Sequence, residues 1–303
     1  MIQQQREEEP AMPLTGDRVL RLELMGGQAR VLFLETTQSV QRLADIHHAT
    51  PVCTAALGRL MTGTLMLSVM MKGAQESVTV TIKGDGPMGT LCAVGCHGDI
   101  KAYADNPQVA LPPRADGKLD VGGAVGHSGR MSVVKDLGLR EPYIGQCNLV
   151  SGELGIDFAN YFTVSEQQPS LVSLGVLVSG DAVLKAGGLL IQPLPGCTEE
   201  TLSQLELRSP MFADLSREMT MDRMETLLEG WFRGMEPRLL EESPLRWHCG
   251  CSRERMEKAL VSMGRGDLQE IIDDGEGAEL SCHFCHSAYR FTTEDLQELM
   301  ERI

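Results

Sequence analysis

Positive charge is in short supply in this 303-residue chain: 27 Lys and Arg stand against 42 Asp and Glu, a net charge of −15. A surface of that sign repels phosphate, so neither a nucleic acid nor an anionic membrane is an expected partner. Long apolar runs are also scarce. The one candidate, residues 52–71, contains Arg59 and several Thr, Ser and Gly, and reads as a buried helix rather than a membrane span. The first ten residues, MIQQQREEEP, lack the basic stretch and apolar core of a secretory signal. The expected location is therefore cytoplasmic. Thiols stay reduced there, so the nine cysteines are not read as a disulfide framework. No internal repeat and no low-complexity tract is present.

What is present supports a folded chain of more than one unit. Hydrophobic residues reach 42%, enough for a sizeable core, and the length favours two domains. Residues 1–195 carry 19 acids and 15 bases, whereas residues 196–303 carry 23 and 12, which places a boundary near Pro195-Gly196. The expected organisation is a loose tail over 1–13, an α+β domain over 14–195, an amphipathic helical linker over 196–245 and a cysteine-bearing domain over 246–303.

Within the first domain, RVLFLE at 30–35, SVTVTIK at 77–83 and residues 89–94, 100–103 and 184–193 read as strands. Short turns such as Gly84-Asp85-Gly86-Pro87 join them, which suggests antiparallel sheets. Thr50 and Pro51 open a helix expected to end at Gly73. A second helix over 152–166 places Leu154, Phe158, Tyr161 and Phe162 on one face. The linker repeats apolar residues at helical spacing, including Met211, Phe212, Met219, Met224, Leu227, Leu228, Trp231 and Phe232, among 11 acids and 5 bases. Five linker residues are Met. In a packed state such a stripe is core; exposed, it suits varied partners.

The sharpest signal is Cys249-Gly250-Cys251, thirty intervening residues, then Cys282-His283-Phe284-Cys285. Two close cysteine pairs in a reducing compartment supply the four thiolates of a tetrahedral Zn²⁺ site. Ser252 and Thr292 are expected caps for flanking helices, Asp267 for a helix between them. Roughly sixty residues bury little core, so this domain's stability should lean on the metal. Arg246, Arg253, Arg255 and Arg290 are candidates to balance the charge of the four thiolates. With four Cys available, His248, His283 and His286 are expected outside the ligand set. A purely structural zinc remains a reading of these residues. So does a switch in which oxidation removes the ligands and unfolds the domain.

CGCS followed by RERM, then CHFC and YRF, resembles the redox-regulated holdase chaperones of the 33 kDa heat-shock family. IKGDGPMG at 82–89, YFTVSEQQPS at 161–170 and GGLLIQPLPG at 187–196 extend the resemblance across residues 15–303. The resemblance implies a non-enzymatic, ATP-independent chaperone, inactive while reduced and zinc-bound. It implies that oxidation pairs Cys249 with Cys251 and Cys282 with Cys285, releases zinc and unfolds the linker. It further implies that the active form is a homodimer, that the first domain dimerises and binds clients, and that unfolding proteins are the clients. Thiol reductants would then restore the resting state.

Beyond the four-cysteine pattern lie Cys53, Cys92, Cys96, Cys147 and Cys197. They are expected to be buried bystanders, with Cys197 the most exposed and an extra Cys92–Cys96 bridge as an alternative. An enzyme is disfavoured because four Cys ligands close a zinc site, and because His47-His48, expected on a helix surface, lacks an H-E-x-x-H pattern. Glu153 and Asp157 read as a solvated or hydrogen-bonded pair. A zinc-finger regulator is disfavoured because residues 246–303 carry 12 acids and 7 bases.

Overall fold

The helix Pro51–Ser68 is buried on every side except at Pro51 and Arg59. A helix that is apolar all round must have neighbours all round. The computed structural model describes residues 16–73 and 75–302; the tail expected over 1–13 lies outside them.

In chain order the elements are β1 (Arg18–Leu24), β2 (Ala29–Glu35), α1 (Thr37–His47), α2 (Pro51–Ser68), β3 (Ser77–Gly84), β4 (Thr90–Cys96), β5 (Asp99–Ala104) and α3 (Val121–Val125). They continue with β6 (Gly129–Asp136), β7 (Tyr143–Asn148), α4 (Leu154–Val164), β8 (Leu171–Ser179) and β9 (Ala182–Pro193). Then come α5 (Glu199–Arg208), a 3-10 turn (Ser209–Phe212), α6 (Leu215–Met221), α7 (Met224–Trp231), β10 (Arg238–Pro244) and β11 (Arg246–Trp247). The chain closes with α8 (Arg253–Met263), α9 (Arg265–Asp274), β12 (Ala278–Ser281), β13 (Ala288–Phe291) and α10 (Thr293–Met300).

Three sheets result, of order β10-β1-β2-β9-β8, β11-β5-β4-β3-β6-β7 and β12-β13. Every pairing is antiparallel except β11 with β5. The α+β class is as expected. Helix α2 packs against β3, β4 and β5 of one large sheet and β8 and β9 of the other. Thr50 caps it by accepting from Cys53 N–H, and Pro51 needs no donor at that position. It ends at Ser68 rather than Gly73. Small residues let its neighbours approach: a Cβ at Gly58 would meet Val40 and Val176, and one at Gly63 would enter the Phe158 ring of α4. The expected face of α4 is buried, with Leu154, Phe158, Tyr161 and Phe162 all within the main core.

The five-stranded sheet has two apolar faces. Val19, Leu32 and Leu34 point into the main core with α2. Leu20, Leu22, Leu24, Val31, Phe33, Leu189 and Ile191 point the other way, into a second core. The period of two that separates them is the ordinary alternation of a strand. That second face is covered by α5, the 3-10 turn, α6 and α7. The segment expected to be helical over 196–245 is helical only to Trp231. It then becomes β10, an edge strand beside β1, because backbone pairing with a partner more than 200 residues away overrides the local pattern.

Two smaller corrections concern caps and thiols. Asp267 lies in the first turn of α9, whose N-cap is Gly264. Cys92 and Cys96 lie four residues apart on one strand, about 13 Å, so they cannot bridge. Cys53, Cys92 and Cys147 are buried as expected, but Cys96 is half-buried like Cys197. Among the described residues no helix is long and apolar enough to cross a membrane.

Replacing Gly63 with Val should lower stability by about 1–3 kcal/mol, because the added methyls overpack the α2–α4 contact. A reduced denaturation midpoint is the expected reading; an unchanged midpoint would show that α4 can yield without loss.

Candidate metal centre and its docking surface

Four cysteines converge from two turns. Cys249 and Cys251 follow β11, which β5 anchors through the pairs Arg246–Asp99 and Trp247–Ile100. Cys282 and Cys285 occupy the tight turn joining β12 to β13. That turn is fixed by Cys282 N–H donating to Ser287 O at 3.0 Å and His286 N–H donating to Cys282 O at 2.8 Å. His286 adopts φ +56° to close it. All four sulfurs lie within 4.8 Å of one another, a spacing that suits one metal ion. Cys249 Sγ is 3.7 Å from Cys282 Sγ, and Cys251 Sγ is 3.3 Å from Cys285 Sγ.

The sulfurs differ in protonation. Burial pushes the Cys249 thiol up to about 12, against the pull of the Cys251 backbone N–H and of Lys101. Burial also raises Cys251, partly offset by the Tyr289 hydroxyl, which donates to its sulfur at 3.1 Å. At Cys285 burial is outweighed by the Ser287 hydroxyl and N–H and by the Cys251 and Cys282 thiols, which bring it down to about 7. The Ser287 hydroxyl lies 3.2 Å from Cys285 Sγ.

The arginines expected to balance the thiolates are mostly engaged elsewhere. Arg246 pairs with Asp99 at 2.6 Å, Arg253 with Asp295 at 2.8 Å and Arg290 with Glu279 at 2.6 Å. The cation acting on Cys249 is Lys101, on β5. No sequence pattern links the two residues; only the docking of the turn brings them together.

That docking is the feature the sequence reading missed. On β5, Asp99, Lys101 and Tyr103 face outward, while Ile100, Ala102 and Ala104 enter the core. The Phe284 ring meets Tyr103 edge-on at 5.1 Å, and Lys101 Nζ lies 4.4 Å from the Phe284 ring centroid. His283 stacks beside Tyr103 at 5.5 Å. His47, expected on a helix surface, is 3% exposed. Its Nε2 lies 3.1 Å from Phe284 O, and its ring meets His286 edge-on at 4.6 Å. Burial, aided by the neighbouring His286, holds His47 below the usual imidazole range. His48 remains exposed.

Behind the cage, the core of the small domain is a cluster, among the described residues, of Leu260, Leu268, Ile272, Phe291, Leu296 and Leu299. Ser252 caps α8, and Thr292 with Asp295 forms a capping box on α10, as expected. Glu153 and Asp157 do different work. Glu153 binds Arg59 and Arg114, while Asp157 is fully buried and accepts from Val150 and Ser151 N–H.

The candidate contact residues of the linker lie mostly in the second core. Phe212, Met219, Met224, Leu227, Leu228, Trp231 and Phe232 are all buried there, whereas Met211 is 47% exposed. Trp231 is central, with Phe33 at 5.4 Å and Phe212 at 5.3 Å. Helix α6 lies over Gly175 and Gly187, which are register partners on β8 and β9. A Cβ at Gly175 would come within 2.7 Å of Ser216 N, and one at Gly187 would strike Met219. Helices α6 and α7 have seven and eight residues and no side-chain cap, so contacts with the rest of the chain hold them: packing for both, and for α7 also the Arg18–Glu225 ion pair at 2.9 Å.

Comparison with known proteins gives a consistent result. The family model described as Hsp33 protein matches residues 17–292. The 33 kDa chaperonin of Ruminiclostridium cellulolyticum is 43% identical over 288 residues, covering 94% of this chain and 98% of that protein. The 33 kDa chaperonin of Alkaliphilus metalliredigens is 42% identical, covering 94% and 99%. The crystal structure of the 33 kDa chaperonin (heat shock protein 33 homolog) from Thermotoga maritima superimposes with a TM-score of 0.86 at 30% identity, covering 94% and 98%.

Because Cys249 and Cys251 are held as thiols, loading a divalent metal at pH 7 should release at least two protons per ion. A pH indicator in weak buffer reads this directly. Release of less than one proton would mean that the cage is already ionised without metal.

Proposed function

The chain belongs to the Hsp33 family of chaperones, and we propose that it is a redox-regulated, ATP-independent holdase whose resting form is reduced and zinc-bound. The observation that carries the reading is the pairing of a four-sulfur cage with a linker that hides an apolar sheet face. A tetrahedral zinc with Zn–S of about 2.3 Å separates its sulfurs by about 3.8 Å, close to the Cys249–Cys282 spacing of 3.7 Å. Cys249, Cys251, Cys282 and Cys285 would hold the ion, which would cross-link two turns of a domain with little core. All-sulfur ligation closes the site to substrate, which favours a non-enzymatic role.

Oxidation supplies the switch. Two thiolates lose two electrons to an oxidant such as hydrogen peroxide and join as a disulfide. The pairing we assign is Cys249–Cys251 and Cys282–Cys285. The cage then no longer holds its ion, and a domain with so small a core unfolds. Because the Cys282–Cys285 turn docks on His47, Lys101 and Tyr103, its opening also removes one anchor beyond the linker and leaves β10 on β1 as the other. The short linker helices, stable only through their contacts with the rest of the chain, then leave the sheet.

What they uncover is a contiguous apolar face bearing Leu20, Leu22, Val31, Phe33, Leu189 and Ile191. Together with the freed linker residues Met211, Phe212, Met219, Met224, Leu227, Leu228, Trp231 and Phe232, this is the surface we assign to unfolded clients. The Met content lets it fit varied partners, and the chain's net negative charge keeps a loaded complex soluble. The active form is assigned as a homodimer acting in the cytoplasm, returned to rest by thiol reductants.

The test is light scattering of a chemically unfolded client diluted into buffer. The peroxide-treated protein should suppress scattering and the reduced, zinc-loaded protein should not. Suppression by both forms, or by neither, removes the switch.

Gly175→Val isolates the linker's part. The new side chain crowds Ser216 and should lift α6 without touching the cage or an assigned client contact. Reduced Gly175→Val protein should keep one zinc per chain, show several-fold faster proteolysis within 196–245 and hold client. Faster proteolysis without holding would exclude the uncovered face as the client surface.

A further inference from the structure

The two halves of the cage are not equally guarded. Cys251 Sγ accepts from the Tyr289 hydroxyl at 3.1 Å, across 38 residues of sequence. Cys285 Sγ lies 3.2 Å from the Ser287 hydroxyl, two residues along the same turn, and as a thiolate would accept from it. Among the described residues, Cys249 and Cys282 meet each other and no hydroxyl. Tyr289 is on β13, paired with Leu280 of β12, and its ring packs against the small core of the domain. The hairpin therefore fixes the ring, and the ring delivers the hydroxyl to a sulfur in the opposite half of the cage.

We propose that Tyr289 is a positioning residue that restrains oxidation of Cys251, and so delays the Cys249/Cys251 half of the switch. The inference rests on the redox reading above. In the first step a lone pair of the Cys251 thiolate attacks one oxygen of hydrogen peroxide. An S–O bond forms, the O–O bond breaks, and hydroxide leaves into the solvent, where the buffer protonates it. Sulfur gives up two electrons, and peroxide is reduced. The Cys249 thiolate then displaces hydroxide from the sulfenic acid, forming the disulfide. A hydroxyl donated to the sulfur stabilises its negative charge before attack and must be given up as the S–O bond forms. It therefore slows the first step without altering its products. Ser287 does the same locally for Cys285, but from within its own turn, so its effect stays there.

The experiment uses full-length, zinc-loaded protein treated with hydrogen peroxide. Alkylation at timed intervals followed by mass spectrometry reads each cysteine, and a chromogenic chelator reads zinc. Tyr289→Phe keeps the ring and its packing and removes only the hydroxyl. Oxidation of Cys251 should be about fivefold faster, the equivalent of one hydrogen bond of ~1 kcal/mol. Cys282 and Cys285 should change by less than twofold, and the melting temperature should stay put. Ser287→Ala should instead speed Cys285.

Uniform acceleration of all four cysteines would make Tyr289 a structural support and overturn the assignment. So would an unchanged rate. Slower oxidation of Cys251 would mean that the hydroxyl donates its proton to the leaving oxygen, which also overturns it. Client holding is scored separately. A selective Cys251 effect in a protein that holds no client upholds Tyr289 and removes only the chaperone reading.

Discussion

The sheet β10-β1-β2-β9-β8 is apolar on both faces, and the two coverings differ in kind. One face meets α2, an eighteen-residue helix enclosed on all sides and confined between two sheets. The other meets short helices that no side-chain cap stabilises at α6 and α7. Isolated helices of that length do not persist in water. They exist here because Phe33, Leu189 and Ile191 give their apolar residues somewhere to go, and because Gly175 and Gly187 let α6 lie flat. The structure therefore buries a large apolar surface under its least self-sufficient elements.

Legibility from sequence followed the range of the interactions involved. The Thr50-Pro51 start of α2, the Ser252 cap and the Thr292–Asp295 box depend on neighbours within three residues, and all are readable. The cysteine cluster is readable because thiolate coordination imposes its own spacing. Strands β1, β6, β7, β8, β11 and β12 escaped notice, and β10 was hidden inside a helical pattern. The sequence of β10, RLLEESP, is mostly exposed, and its order comes from hydrogen bonds to β1. The burial of His47 depends on Phe284, 237 residues away, and no local pattern carries that information. The arginines misled for a related reason: proximity in sequence to the cysteines is not proximity of charge, and nearby carboxylates claimed three of the four.

The four sulfurs of the cage are unlike one another. Cys249 is held strongly protonated by burial, whereas Cys285 is brought near neutrality by Ser287. A metal ion equalises them by requiring four thiolates. The same turn that bears Cys282 and Cys285 presents Phe284 to Lys101 and Tyr103, so two of the four sulfurs belong to the segment that clasps the rest of the molecule.

The anchors on either side of the linker have an entropic consequence. Strand β9 fixes the chain at Pro193, and β10, β11 and the docked cysteine turn fix it again from Arg238 onward. Between them the linker is a closed loop of roughly forty residues. Even when its helices melt, its ends cannot separate. For a flexible loop of that length the logarithmic closure term is about 3 kcal/mol. That restriction disfavours the melted linker and so favours its helices, with no contact involved. Opening the loop would require β10 to leave β1 as well as the cysteine turn to undock, and would remove the restriction. Any event that frees that end of the chain would thereby act on helices it never touches, through the number of conformations open to the chain between them.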